Sequence, residues 1–176
     1  CGWGTYHPTR FYLNRIENGY GGKIDFAYTP MVRPGSDVEH WYYITSRTMT
    51  DQVTGQVASY IYSYPQNVVL REYEESFNYG KFIGYPEVNV IDPFGQRHNH
   101  HFLALGYKVD DPLFGRPTAT YHYDGADILY SASQTDWEEQ GGFVYSPEQR
   151  NYTCFNDATT INTTDCVFQK TTHTYD

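Results

Sequence analysis

From Val57 to Tyr64 the side chains alternate with a period of two. Ala58, Tyr60, Tyr62 and Tyr64 fall on one face of an extended chain, and Val57, Ser59, Ile61 and Ser63 on the other. The same alternation, interrupted by short clusters of Gly, Asn, Asp and Pro, runs through most of the chain. From Phe11 to Pro30, two strand-like runs flank Asn18-Gly19-Tyr20-Gly21-Gly22, residues that accept positive φ and close a hairpin. His40 to Asp51 and Gln56 to Tyr64 form a second pair turning near Thr54-Gly55. "PEVNVID" leads through Asp92-Pro93-Phe94-Gly95 into "RHNHHFLALGY", and "TATYHYDGADILYSASQTDW" turns at Asp124-Gly125. Only Val68 to Phe77, with the good helix formers of "LREYEESF", predicts a helical turn, and it is too short to be stable without packing. The pattern as a whole predicts an all-β protein, an antiparallel hairpin meander of roughly eight to ten strands.

Composition supports strands and a folded chain. Val, Ile, Thr, Tyr, Phe and Trp far outnumber Ala and Leu, a bias toward β structure. With 19 Tyr, 10 Phe and 3 Trp the chain is rich in the side chains that disordered sequences lack. The 176 residues suit one domain, with hairpin repeats over residues 1-130 and an Asn/Thr-rich hairpin and loop region over 131-176. Twelve basic against 21 acidic side chains give a net charge of -9, which repels a phosphate backbone and argues against a nucleic-acid partner. No apolar run approaches the length of about 20 residues that a membrane-spanning helix needs.

Cysteine usage and sequons point outward from the cytoplasm. Cys154 and Cys166 lie 12 apart across a Thr/Asn/Asp-rich loop, a spacing that a disulfide can close, leaving Cys1 unpaired or joined to another chain; the alternative is three reduced thiols. The chain starts at Cys1 rather than Met, which predicts a processed or excised segment. Asn151-Tyr152-Thr153 and Asn162-Thr163-Thr164 are acceptor sequences for N-glycosylation, as an exported protein carries. The expected location is extracellular or the cell surface.

Candidate chemistry is sparse. In an extended strand His98 and His100 share one face and His101 takes the other, so this strand alone offers at most two ligands to one metal. A zinc site would need more, and no Cys pair or His-Glu-x-x-His spacing supplies them. Strand histidines without a metal role are the expectation; His7, His40, His122 and His173 are scattered, and only folding could bring them together. The adjacent acid pairs Glu74-Glu75, Asp110-Asp111 and Glu138-Glu139 face opposite ways in extended chain and do not make the facing carboxylates of a glycosidase. No nucleophile elbow, phosphate loop or calcium loop is present. No catalytic, cofactor-binding or metal residue is assigned, and no cofactor is expected.

The order of the turns is informative. "RIENGYGGKIDFAY", "WYYITSRTMTD", "GYPEVNVIDPFGQRHNHHF", "DDPLFGRPTATYHYDGADIL" and the terminal "TTHTYD" together resemble the RHS (YD-repeat) proteins, large secreted or surface polypeptides of bacteria. The resemblance implies a β-sheet strip spiralling into a shell that encloses a toxin domain or displays an adhesive surface. It also implies that a Tyr-Asp dipeptide ends a strand, with the Asp accepting backbone hydrogen bonds and a following Gly taking positive φ. The matching positions are Asp92, Pro93 and Gly95, then Tyr123, Asp124 and Gly125, then Tyr175 and Asp176. The self-cleaving core and the toxin domain of that family have no counterpart here. The sequence therefore predicts a non-catalytic extracellular structural segment, or a repeating subunit of an extracellular filament, joined to neighbouring repeats or identical subunits through open sheet edges. A secreted carbohydrate-binding or adhesive module using Trp41 and Trp137 as stacking platforms for surface glycans is the alternative. A hydrolase or metal enzyme using His98, His100 and Asp92 ranks third.

Overall fold

At four of the turns a side chain near the end of the strand helps to turn the chain back on itself. Asn18 Oδ1 accepts the N–H groups of Tyr20 and Gly22, each at 2.9 Å, and the Asn18 N–H donates to Gly22 O. Asp92 Oδ1 does the same for Phe94 and Gln96, and Asp124 Oδ1 for Ala126 and Ile128, with matching backbone bonds from Asp92 to Gln96 O and from Asp124 to Ile128 O. A short polar side chain thus satisfies amides that the hairpin ladder leaves open. The third residue after the cap has positive φ each time: 92° at Gly21, 80° at Gly95 and 63° at Asp127. Asp51 makes a version one residue longer, capping Val53 and Thr54, with the positive φ at Gly55.

The computed structural model describes residues 12–31, 41–65, 71–72, 81–82, 85–103 and 112–174. Every described element is a strand. They are β1 (Arg15–Glu17), β2 (Gly22–Met31), β3 (Trp41–Asp51), β4 (Val57–Ser63), β5 (Arg71–Glu72), β6 (Lys81–Phe82), β7 (Glu87–Ile91), β8 (Arg97–Phe102), β9 (Pro117–Tyr123), β10 (Leu129–Gln140), β11 (Phe143–Cys154) and β12 (Cys166–Thr172). Ten of them form one open antiparallel sheet in the order β1-β2-β3-β4-β7-β8-β9-β10-β11-β12, and β5 pairs with β6. The all-β expectation is met. The helical turn foreseen between Val68 and Phe77 is replaced, at the two residues described there, by strand: Arg71 and Glu72 pair with Phe82 and Lys81.

The chain forms two compact units, Cys1–Ser59 and Tyr60–Asp176, with the boundary inside β4. In the first, β2 and β3 pair from Gly22↔Asp51 to Met31↔Trp41 with an irregularity at Ala27/Tyr28, and Arg15 and Lys23 both pair with Asp25. In the second, Ile61, Tyr62 and Ser63 of β4 pair with β7, and each later strand pairs with its successor. Alternation in β4 follows the sequence pattern: Ala58, Tyr60 and Tyr62 are half-buried while Val57, Ser59, Ile61 and Ser63 are exposed.

Apolar burial is concentrated at the C-terminal end. Among the described residues the buried hydrophobic set is Leu129, Ala132, Cys154, Ala158 and Cys166, with Tyr121, Tyr123, Tyr152 and Ile161 packed against it. Leu129 is fully buried, and its N–H donates to Ala158 O at 2.7 Å, which ties the 155–165 connection over this face of the sheet. Cys154 and Cys166, directly opposite across β11 and β12, form a disulfide, with sulfur atoms 2.11 Å apart.

Three variants check these assignments by their stability. Asp124→Ala leaves two turn amides unpaired and costs about 1 kcal/mol; Gly95→Ala forces a side chain into left-handed backbone and costs about 1–2 kcal/mol in urea unfolding. Replacing Cys154 and Cys166 by Ala removes a short covalent loop and lowers stability by about 3 kcal/mol; an unchanged midpoint would contradict the bond.

Candidate functional site: the histidine face of β8 and β9

The register of β8 against β9 decides which histidines meet. Asp92 fixes the β7–β8 turn, so Val90 stands opposite His98, and His98 stands opposite His122. His98 and His100 project on one face and His101 on the other, as the alternation predicts; Arg97, Asn99, His101, Tyr121 and Tyr123 share the second face with the core around Leu129. In β10 a bulge between Leu129 and Ser131 makes Tyr130 the extra residue, and its ring lies 6.1 Å from that of His122. The Tyr130 hydroxyl donates to Gln96 Oε1 at 3.3 Å.

At the centre of this face His98 Nδ1 and His122 Nδ1 are 2.6 Å apart, and His98 Nε2 lies 3.4 Å from Asp92 Oδ2. Asp92 therefore works at both oxygens: Oδ1 caps the turn and Oδ2 faces the imidazole. Burial tends to raise its pKa, but the amides of Gln96 and Phe94 together with His98 more than offset this and hold it below the ordinary carboxylate value. A carboxylate at Nε2 favours the His98 tautomer protonated there, leaving a lone pair on Nδ1. One proton between the two Nδ1 atoms satisfies both rings. Two protons would repel, and none would set lone pair against lone pair. His100 Nδ1 lies 3.3 Å from Thr120 Oγ1. Burial, and then the charge that His98 and its neighbours would carry, lowers the pKa of both His122 and His100.

On the opposite face Arg97 is held three ways: Nε donates to Asp127 Oδ1 at 2.9 Å, a terminal nitrogen donates to Asn99 Oδ1 at 2.8 Å, and the guanidinium lies 3.9 Å from the Tyr123 ring centroid. Asn99 is a buried polar residue, and Tyr123 has its phenol pKa raised, foremost by burial. Further along, Glu148 bridges Arg150 and Lys170, and Arg150 also pairs with Asp136 at 2.9 Å. The Glu148 carboxyl is held below its ordinary value, first by the hydrogen bond from Lys170.

The sequence-predicted positions divide as follows. Asp92, Pro93 and Gly95 form a capped turn, and Tyr123 and Asp124 end β9 and begin the next. Gly125 does not take positive φ; that conformation falls on Asp127, because the cap places it at the third residue after Asp124, as at Gly21 and Gly95. Tyr175, Asp176, Cys1, His7, His40 and the side chain of Trp41 lie outside the described residues. Asn151 is exposed on β11 with Thr153 on the same face. Asn162 instead uses its whole side chain locally: Nδ2 donates to Asp165 Oδ2 at 2.9 Å while Oδ1 accepts from Thr164 and Asp165. Trp137 is half-buried; its indole N–H donates to Pro117 O at 2.7 Å, and the Arg116 guanidinium lies 5.2 Å from the ring. It lines a concavity of about 480 Å³ with His101, Tyr121, Gln134 and Asp136. Sequence reading missed His122 as the partner of His98, and the only signal available was the pairing of "RHNHH" with "TYHYD" across the intervening connection. Among the described residues no group of three or more His, Cys, Asp and Glu is placed to hold a metal, and no helix is long and apolar enough to cross a membrane. No family model, curated protein or solved structure matches the chain.

The imidazoles set a pH dependence. His100 and His122 have folded pKa values below their ordinary 6.5, so the unfolded chain binds protons more readily. Their contribution is complete above pH 6.5 and is lost as the pH falls from there toward the folded values. The groups facing them are Asp92, His98 and Tyr130, with His101 adjacent in β8. Thermal melts from pH 8 to pH 5 show a falling midpoint, and the slope flattens in His122→Gln; a slope unchanged by that substitution would contradict the assignment.

Proposed function

We propose that the chain is a non-catalytic structural segment of an RHS-like (YD-repeat) protein, extracellular or at the cell surface, whose β-strip encloses or displays another domain. A repeating subunit of an extracellular filament is a close variant. The observation that carries this reading is the recurrence of one turn. Asn18, Asp92 and Asp124 each cap the second and fourth following amides, with the positive φ at the third residue. A meander built by repeating one hairpin device extends indefinitely by adding hairpins, which suits a strip better than a closed catalytic domain.

Two further features support it. Among the described residues the buried apolar set is confined to β10, β11, β12 and the connection between the last two. Strand β12 pairs on one side with β11, and its residues after Cys166 are all exposed. No second partner strand lies beside β12 among the described residues, and a strand edge of this kind seeks further strands. The Cys154–Cys166 disulfide agrees with an oxidising, non-cytoplasmic setting.

Electron microscopy and size-exclusion chromatography of the intact chain test the reading. The expected result is concentration-dependent association into strips or filaments, reduced by Val167→Lys on the edge strand. A strictly monomeric protein at high concentration, unaffected by that change, would count against it. The concavity beside Trp137, with Tyr121, Gln134 and Asp136 around it, favours a second reading as a carbohydrate-binding module. Glycan-array binding lost in Trp137→Ala, from a monomeric protein, would establish that reading in place of the first.

A further inference from the structure

The His98–His122 pair has a geometry that a structural hydrogen bond does not require. The two residues are direct cross-strand partners, so their side chains leave adjacent backbones on the same face. Their Nδ1 atoms are 2.6 Å apart, closer than the usual N–H···N or N–H···O separation of about 2.9 Å. Behind His98 stands Asp92, whose Oδ2 faces Nε2 at 3.4 Å. A carboxylate on the far nitrogen of an imidazole is the outer-shell arrangement that orients and strengthens a metal-binding histidine.

We propose that His98 and His122 chelate one divalent first-row transition cation through their Nδ1 atoms, with copper(II) bound most tightly. Two nitrogens at right angles, each about 2.0–2.1 Å from a cation, are about 2.9 Å apart, so the observed pair needs to open by about 0.3 Å, release the proton between the nitrogens and turn both rings until their lone pairs converge. Imidazole ligands and an otherwise unconstrained shell place the cations in the order copper(II), nickel(II), zinc(II) by affinity, nickel and zinc being close. The chain supplies two ligands. Since no third His, Cys, Asp or Glu joins them among the described residues, water or an incoming ligand completes the shell.

The role of Asp92 can be separated from its role in the turn. Asn18 shows that an amide oxygen caps this turn as well as a carboxylate does. Asp92→Asn therefore keeps the cap through Oδ1 and presents an N–H₂ to His98 in place of the second oxygen. That donor favours the tautomer with a lone pair at Nε2 and a proton at Nδ1, which weakens chelation. A purely structural Asp92 would show no such effect.

The test is calorimetric titration of copper(II) chloride into the untagged chain, in a Cys1→Ser background so that the terminal thiol does not compete, with electron paramagnetic resonance of the complex. The expected result is one equivalent bound, with hyperfine coupling to two nitrogens. Binding is lost in His98→Gln and in His122→Gln, weakened about 10–100-fold in Asp92→Asn, and retained in His101→Gln, which alters the opposite face of the same strand. Binding that survives both His98→Gln and His122→Gln, coupling to fewer than two nitrogens, or absence of binding by the parent chain would each overturn the proposal. If the Gln variants do not fold, as judged by circular dichroism, Asp92→Asn decides: unchanged affinity in a folded Asp92→Asn protein rejects the site.

Discussion

The register of four hairpins in this sheet depends on side-chain oxygens accepting backbone amides at the ends of strands. A hairpin strand is free to slip, and a slip of one residue moves every side chain to the other face. The caps at Asn18, Asp51, Asp92 and Asp124 prevent this, because each fixes where the return strand begins. From the Asp92 cap follows the pairing of Val90 with His98. The adjacent pairing of β8 with β9 then places His122 beside His98 and sets Asn99 opposite Tyr121. The chemistry of one face and the packing of the other are therefore set together.

The two faces of the C-terminal strands do different work. One carries Leu129, Ala132 and the Cys154–Cys166 disulfide beneath the 155–165 connection, and further along the same face come Gln134, Arg150, Glu148 and Lys170. The buried set there is small, with Leu129 fully enclosed, and the covalent link joins β11 to β12 within it. The other face is polar and carries the paired imidazoles. Asp92 serves both the turn and this face, which is why the turn residue and the histidine cannot be understood apart.

Much of this could be read from the chain. Alternation in β4 and the positions of four turns were visible because their causes are local: period-two side chains, and Gly, Asn and Asp at the bends. What escaped notice depends on register. His122 lies 24 residues from His98, and only the ladder brings them together. The positive φ at Asp127 was expected at Gly125 because glycine is the usual occupant; the cap geometry overrides composition there. Ala158 gave no sign of burial, since its environment comes from a loop folding back on Leu129. The hydrogen bonds of the Asn162 side chain to Thr164 and Asp165 are set by the fold of this loop and are not encoded in the acceptor pattern around it.

The meander order has a kinetic corollary. Apart from the step from β4 to β7, every pair in the ten-stranded sheet joins strands that follow one another in the chain, so nearly all loop closures are short and their entropic cost is small. Such a sheet can assemble hairpin by hairpin as it emerges from the ribosome, each new strand zipping onto the last without waiting for a distant partner. The Cys154–Cys166 disulfide then fixes β11 to β12 covalently across their directly opposed ends.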